Sequence, residues 1–162
     1  MKRWILPLAL SLFLALGANA GFAQGAAATS THAGFLKEVR GSVHLVSTSG
    51  QTRLARSGDS VAHSDRIETD VSAGASLVLR DGTVLVIGPS SRMDLRDFRF
   101  DATTQDGHLA ISLLQGTLRM ISGLLGKVHP KAVQVETQTA TIGIRGTDFI
   151  VNADNASAPS AQ

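Results

Sequence analysis

The stretch that decides the fold class lies near the middle of the chain and reads Ser76-Leu77-Val78-Leu79-Arg80-Asp81-Gly82-Thr83-Val84-Leu85-Val86-Ile87. Two runs of apolar and β-branched residues flank Asp81-Gly82, a dipeptide that favours the left-handed backbone of a type I′ hairpin turn. A two-residue loop places Val78 opposite Leu85. Because both faces of the hairpin are apolar, we predict that it lies centrally in a sheet. Gly82 is required by the turn, whereas Asn or Gly is expected to replace Asp81 at little cost.

Apolar residues recur at every second position on both sides of this hairpin, for example at Val133 and Val135. That is the period of a β-strand, and no window of 11 residues shows helical spacing. Leu95 and Phe98 fall on opposite parities, so we predict a β-bulge near Arg96 that restores the phase. The chain is therefore predicted to be all-β.

Three Gly-Thr pairs begin at Gly82, Gly116 and Gly146, at spacings of 34 and 30 residues. Such spacing is typical of stacked β-hairpins or of a β-solenoid-like fold, and a sandwich with chance recurrence is the alternative. About 120 residues are available for the fold, which is enough for one domain and too few for two.

The segment Thr139–Val151 predicts a closing hairpin, in which one strand folds over Arg145-Gly146 and a second strand follows. Gly146 is interpreted as a backbone requirement of the turn, and Phe149 as a core residue beside Ile142. The Arg145 guanidinium can form forked hydrogen bonds. It is predicted either to pin the hairpin or to contact a partner. The candidate site residues of this segment and the central turn are Arg145, Gly146, Thr147, Asp148, Phe149, Asp81 and Gly82.

The N-terminus has the order of features of a secretory signal peptide. Lys2 and Arg3 precede about 13 apolar residues that end at Leu16, and small residues follow. A bilayer-spanning helix needs about 18 to 20 such residues, so we predict cleavage, after Ala20 or Ala23. The mature protein is then expected to be periplasmic or secreted, without membrane insertion.

The domain organisation predicted from these features has four parts. They are a signal peptide (1–23), a flexible linker (24–33), a β-domain (34–152) and a disordered tail (153–162). The linker and the tail are rich in Ala, Ser and Thr without an apolar period. The chain has no cysteine, which excludes disulfides, thiolate metal ligands and cysteine nucleophiles. The β-domain must therefore be stabilised by its core alone.

The charge pattern argues against a nucleic-acid partner. Without Lys2 and Arg3, the remaining Lys and Arg residues balance the 13 Asp and Glu residues. Nucleic-acid binders concentrate basic residues on one face and add stacking aromatics. Here tyrosine is absent, and the single tryptophan lies in the predicted signal peptide.

The sequence contains no recognisable set of catalytic or metal-binding residues. His63-Ser64-Asp65 contains the residue types of a hydrolytic triad, but contiguous residues in a turn are better explained as turn chemistry. The Asp94 and Asp97 carboxylates alternate with arginines, as in a solvated charge ladder rather than a glycosidase pair. The five histidines lack metal-site spacing. We therefore predict no catalytic residue, no metal site and no cofactor.

One segment, residues 123–128, hints at a phosphate-binding loop, because Gly123 and Gly126-Lys127 are present. The first glycine and the final Ser/Thr of that motif are missing. The segment is instead interpreted as a flexible connection that ends at Pro130.

Five pieces of sequence, taken in order, resemble the FecR family, named for the ferric-citrate uptake regulator. They are Gly41-Ser42-Val43, Ser57-Gly58-Asp59 with Asp65-Arg66-Ile67-Glu68-Thr69, Leu79-Arg80-Asp81-Gly82-Thr83, Leu114-Gln115-Gly116-Thr117, and Ile144-Arg145-Gly146-Thr147-Asp148-Phe149. The resemblance implies the all-β periplasmic region of that family. Full-length regulators also carry an anti-sigma segment and a membrane helix. Because a signal peptide stands in their place here, we expect a stand-alone secreted form without direct control of a sigma factor.

The function expected from the sequence is a non-catalytic module that binds another protein of the cell envelope, for example in envelope signalling. Exposed strand edges would permit such pairing. The alternative is a module that binds a cell-wall glycan or surface polysaccharide. The scarcity of aromatic residues speaks against that alternative, because sugar sites commonly use aromatic faces.

Overall fold

The computed structural model describes residues 32–144 and 146–153. In this part of the chain there are twelve β-strands, a short helix α1 (Leu124–Val128) and one turn of 3-10 helix (Pro130–Ala132). The strands are β1 (His32–Arg40), β2 (Val43–Val46), β3 (Thr52–Leu54), β4 (Ser60–Ala62), β5 (Arg66–Thr69), β6 (Gly74–Leu79), β7 (Val84–Ile87), β8 (Arg92–Phe100), β9 (Gly107–Ile121), β10 (Val133–Glu136), β11 (Thr141–Gly143) and β12 (Asp148–Ala153). The predicted all-β single domain is confirmed.

The predicted signal peptide, almost all of the predicted linker and nearly all of the tail lie outside the described residues. Strand β1 begins at His32, two residues before the predicted start of the domain, and β12 includes Ala153, the first residue of the predicted tail. No helix in the described ranges has the length and apolar character to cross a bilayer.

The strands form one curled sheet whose two halves share β9. Half-sheet A has the order β12-β9-β7-β6-β1-β4, and half-sheet B has the order β3-β2-β5-β8-β9-β10-β11. Neighbouring strands are antiparallel except β9 and β10, which run parallel. The inner faces of both halves contribute to a single core, which contains Leu36, Leu77 and Leu85 from half-sheet A and Ile67, Met93 and Ile111 from half-sheet B.

Strand β9 passes from one half-sheet to the other at Gly116. Residues before this glycine pair with β8 and β10, whereas Gly116 and the residues after it pair with β7 and β12. Gly116 has a φ of 86°, and a Cβ at this position would lie 2.6 Å from the Cα of Ser91. Only glycine fits both the left-handed backbone and the close approach. The second Gly-Thr pair is thus a bend inside a continuous strand, not a hairpin turn.

The β6–β7 hairpin is central, as predicted, because both strands have neighbours on each side. Its predicted register is wrong by one residue. Val78 lies opposite Val84, not opposite Leu85. The N–H of Leu79 donates to the carbonyl of Thr83 at 2.9 Å, and only Gly82 in the turn has a positive φ, of 83°. The connection is therefore a three-residue loop with a glycine bulge rather than a two-residue type I′ turn.

The predicted closing hairpin is also corrected. In the part of the chain that the structure describes, β11 pairs with β10 in half-sheet B, and β12 pairs with β9 in half-sheet A. Strands β11 and β12, which are neighbours in the chain, therefore lie in different half-sheets. Together with the bend in β9, this shows that the three Gly-Thr pairs lie at three different kinds of site.

Two further local predictions can be compared with the fold. The predicted bulge near Arg96 is confirmed, because the register of β8 on β9 shifts between Leu95 and Asp97. The predicted flexible connection at residues 123–128 is wrong. Apart from Gly123 it forms α1, and Pro130 begins the 3-10 turn that follows.

Candidate functional site

The motif Asp81-Gly82-Thr83 forms a buried polar cluster at the tip of the β6–β7 hairpin. Asp81 is only 2% exposed. One of its carboxylate oxygens accepts from the N–H of Thr83 at 3.0 Å, and the other accepts from the Thr83 hydroxyl at 2.7 Å. A glycine at position 81 would lose both bonds. The expectation that glycine could replace Asp81 with little loss of stability is therefore wrong.

The end of β9 packs directly against this turn. The N–H of Gly123 donates to the Oγ1 of Thr83 at 3.0 Å, and the N–H of Leu124 donates to the carbonyl of Asp81 at 2.8 Å. A Cβ on Gly123 would overlap the backbone nitrogen of Thr83 and lie 2.7 Å from the carbonyl carbon of Gly82. Gly123 is therefore required by a close backbone approach, and its N–H is already bonded to Thr83.

The third Gly-Thr pair lies on the other side of the same strand end. The N–H of Ser122 donates to the carbonyl of Thr147 at 2.8 Å, and the Ser122 hydroxyl donates to the carbonyl of Gly146 at 3.2 Å. Gly146 has a φ of 142°. Ser122 and Gly123 thus join the two motif segments. Arg145 lies outside the described residues, so its role as a structural or partner contact stays a prediction.

Asp148 and Phe149 point to opposite sides of β12. The Arg119 guanidinium on β9 forms a two-point ion pair with Asp148, with 2.9 Å between Nε and Oδ1 and 2.6 Å between Nη2 and Oδ2. This contact holds the pKa of Asp148 below its usual value and raises the pKa of Arg119. Phe149 and Ile142 are both partly buried and pack against the core. Phe149 therefore contributes to the fold, whereas Asp148 is presented at the surface.

Asp148 belongs to an outward surface that crosses half-sheet A, which we call the apolar face. Two rows of residues in cross-strand register make up this surface. The first row is Ser60, Phe35, Val78, Val84, Ile121 and Asp148, and the second is Glu38, Ser76, Val86, Arg119 and Ile150. Phe35 is 48% exposed and Ile150 is 63% exposed. Exposed apolar side chains gathered on one face, with charges at its ends, are typical of interaction surfaces.

A cleft of about 430 Å³ opens at one side of the apolar face. Val86 from the second row lines it, and the loops on either side contribute Val71 and Pro89. Val71 is 81% exposed. Glu38 and Arg40 form an ion pair of 2.6 Å at the rim. The cleft has the size and character to accept an apolar side chain beside a charged rim.

The outward surface of half-sheet B has the opposite character. Arg66 pairs with Asp94 at 2.5 Å, and Arg92 pairs with Glu68 at 2.9 Å, each across neighbouring strands. The contact with Asp94 raises the pKa of Arg66. The predicted charge ladder is therefore present, with Arg99 and Asp97 paired within β8 at 3.7 Å and the other two pairs between β5 and β8. A polar cleft of about 510 Å³ lies at this surface and includes the exposed Arg96.

The residues considered for catalysis have structural contacts. The Asp65 carboxylate accepts from the N–H of Ala62 at 2.8 Å, and the N–H of Ser64 donates to the carbonyl of Leu95 at 2.6 Å. His63 contacts the Ser64 hydroxyl at 3.3 Å. These bonds are turn chemistry, as the sequence predicted. Within residues 32–144 and 146–153, no three His, Asp or Glu side chains are arranged to hold a metal ion.

Several residues of the apolar face could not be recognised as surface residues from the sequence. Phe35, Ile121 and Ile150 look like ordinary strand residues, and only the register of β1, β9 and β12 places them on one face. Ser122 likewise gives no motif, because its partners lie 24 and 25 residues further along the chain.

Comparisons with known proteins find similarity over part of the chain. A sequence model of the family described as FecR protein matches residues 65–160. A solved structure described as "Cell surface anchoring domain" is similar over 38% of this chain and 80% of its own, with 33% sequence identity and a TM-score of 0.37. Among curated proteins, none matches the chain significantly.

Proposed function

Because the chain belongs to the FecR family, we propose that it is an exported, non-catalytic module that binds another protein of the cell envelope through its apolar face. Family membership supports an envelope-related module. The binding role, the periplasmic or secreted location and the absence of catalysis are parts of this proposal.

The observation that carries the proposal is the contrast between the two outward surfaces. On half-sheet B, charged side chains of neighbouring strands neutralise one another. On half-sheet A, Phe35, Val86 and Ile150 are exposed on one face although the core already contains many buried apolar residues. Exposing apolar area to water is unfavourable, by about 25 cal/mol for each Å². A partner that covers this face would recover that free energy.

The partner that fits this surface has an apolar segment with a protruding aliphatic or aromatic side chain. That side chain would enter the cleft between Val71 and Val86. Polar or charged groups of the partner would face the Glu38–Arg40 pair at one end and the Arg119–Asp148 pair at the other. Such a pattern, with an apolar centre and a polar rim, is common in protein interfaces.

The test is photo-crosslinking in cells that express the protein. A photo-crosslinking amino acid at position 86 is expected to capture one protein of defined mass. The same amino acid at position 44 serves as the control, because His44 lies on the outward surface of half-sheet B. Val71→Asp, which places a charge in the cleft, is expected to abolish the product at position 86. Equal products at both positions, or a product that survives Val71→Asp, would contradict the proposal.

A second candidate function is the binding of a cell-wall glycan or surface polysaccharide at the polar cleft of half-sheet B. Hydroxyl groups of Ser47, Thr48 and Ser64 line this cleft beside Arg66 and Arg96. These groups can donate to sugar hydroxyls and to uronic acid carboxylates. Retention on immobilised polysaccharide that is lost in Arg96→Ala, but not in Val86→Lys, would favour this candidate over protein binding.

A further inference from the structure

We propose that β12 pairs with β12 of a second copy of this chain, which would join two molecules through a continuous half-sheet A. In the described part of the chain β12 lies at an edge, because it pairs with β9 along one side only. This inference concerns a different partner from the function proposed above. It uses the backbone edge of β12, although Asp148 and Ile150 of this strand also belong to the apolar face.

Within residues 32–144 and 146–153, no strand pairs with the outer edge of β12. The carbonyl of Thr147 accepts from Ser122, which fixes the hydrogen-bonding phase of the ladder with β9. Antiparallel pairs alternate between bonded and non-bonded positions. Phe149 and Val151 therefore bond to β9, whereas Asp148, Ile150 and Asn152 direct their N–H and carbonyl groups away from it.

Strand β12 differs from the other edge strands in its length and regularity. Edge strands are commonly short, bulged or interrupted by proline or lysine. The other edge strands in the described residues, β3, β4 and β11, have three residues each, whereas β12 has six. Its register with β9 runs through all six residues without a shift, and it contains neither proline nor lysine.

The sequence of β12 is complementary to itself about Ile150. In an antiparallel pair centred on this residue, Ile150 faces its own copy and Asp148 faces Asn152 of the second molecule. Like charges are thus not opposed. The side-chain oxygen of Asn152 accepts from the Thr117 hydroxyl at 2.8 Å, so its amide group is oriented by this bond and can donate to the opposite carboxylate.

The paired arrangement would form about six backbone hydrogen bonds between the molecules, two for each of the three bonded positions. On the inner side, Phe149 would lie opposite Val151 of the second copy and gain cover for its partly exposed ring. On the outer side, the two apolar faces would become one continuous surface. The occupant favoured by these contacts is therefore a second copy of this chain, and a strand of another protein is an outcome of the test.

Two measurements on the full chain test this inference. Sedimentation equilibrium is expected to show a dimer, and Ile150→Lys is expected to raise the dissociation constant at least about tenfold because two ammonium groups would face each other. Val86→Lys is the matched control. It adds the same charge to the same face away from the edge and is expected to leave the dimer intact.

Chemical cross-linking gives an independent result, since the chain has no cysteine of its own. Ile150→Cys is expected to form a covalent dimer with a short bis-maleimide, and Val86→Cys is expected to stay monomeric. Three outcomes would each overturn the proposal. They are a monomer at 100 µM without cross-linking at position 150, equal cross-linking at both positions, and cross-linking of position 150 only to a different protein. Loss of dimerisation with retained capture at position 86 would leave the proposed function standing.

Discussion

The N–H of Gly123 and the hydroxyl oxygen of Thr83 form a hydrogen bond of 3.0 Å between residues that are 40 positions apart in the sequence. The same hydroxyl donates to the buried carboxylate of Asp81. One side chain therefore links the tip of a hairpin to the end of the longest strand. The FecR motif around residue 81 thus stabilises the junction of three strands.

Replacing Thr83 with valine should destabilise the protein strongly. Valine keeps the shape of the side chain but leaves one oxygen of Asp81 and the N–H of Gly123 buried without partners, each at a cost of about 1 to 3 kcal/mol. We expect urea denaturation to show a loss of about 2 to 4 kcal/mol in the free energy of unfolding. Thr83→Ser keeps the hydroxyl and should lose less than about 1 kcal/mol. Equal losses in the two variants would show that the hydroxyl contributes nothing.

Gly123→Ala should be at least as harmful, for a steric reason. The added Cβ would overlap the backbone of Thr83 and lie 2.7 Å from the carbonyl carbon of Gly82, and neither backbone segment can move without disturbing the hairpin. We expect a loss of about 3 kcal/mol or more, measured by the same unfolding curves. Gly143→Ala is the control, since a Cβ there meets nothing within 4 Å. An unchanged stability of Gly123→Ala would refute the close approach.

The sequence predicted those features that depend on local pattern. Alternating apolar residues indicated an all-β chain, and the mismatch of parity between Leu95 and Phe98 located the bulge in β8. The hairpin register was not predictable in the same way. Asp-Gly fits both a two-residue and a three-residue loop. The three-residue loop observed here is accompanied by hydrogen bonds from Gly123 and Leu124, about 40 residues further on, to Thr83 and Asp81.

The candidate interaction surface was not predictable for a related reason. Its residues come from six strands, and the cross-strand rows exist only because β9 pairs with β7 on one side and with β12 on the other. The sequence of β12 suggested a hairpin with β11, since the two strands are adjacent in the chain. Instead, β11 pairs with β10 in half-sheet B and β12 pairs with β9 in half-sheet A. No local signal in a single sequence encodes these pairings.

Gly116→Ala should test whether β9 needs glycine to change half-sheets. Gly58 provides a matched control, because its φ of 92° is close to the 86° of Gly116 and a Cβ on Gly58 meets nothing within 4 Å. Gly58→Ala should therefore show only the backbone cost, about 1 kcal/mol. Gly116→Ala adds a clash with Ser91 and should cost at least about 2 kcal/mol more. Equal melting temperatures of the two variants would mean that the backbone relaxes around Ser91.

The ion pair between Arg119 and Asp148 should appear in the dependence of stability on pH. The pKa of Asp148 in the folded protein lies below its ordinary value of 3.8, chiefly because the Arg119 guanidinium donates to the carboxylate. The unfolded chain therefore binds a proton at this residue before the folded protein does. The stabilisation is fully present above the unfolded pKa and is lost as the pH falls through the folded pKa.

Melting temperatures of dilute protein between pH 6 and pH 2.5 should consequently fall less steeply in Asp148→Asn than in the unmodified chain. Arg119→Gln should give the same shallower slope, since it removes the cation and leaves the carboxylate. Parallel curves for all three proteins would show that the contact at the surface of β12 contributes nothing to folding.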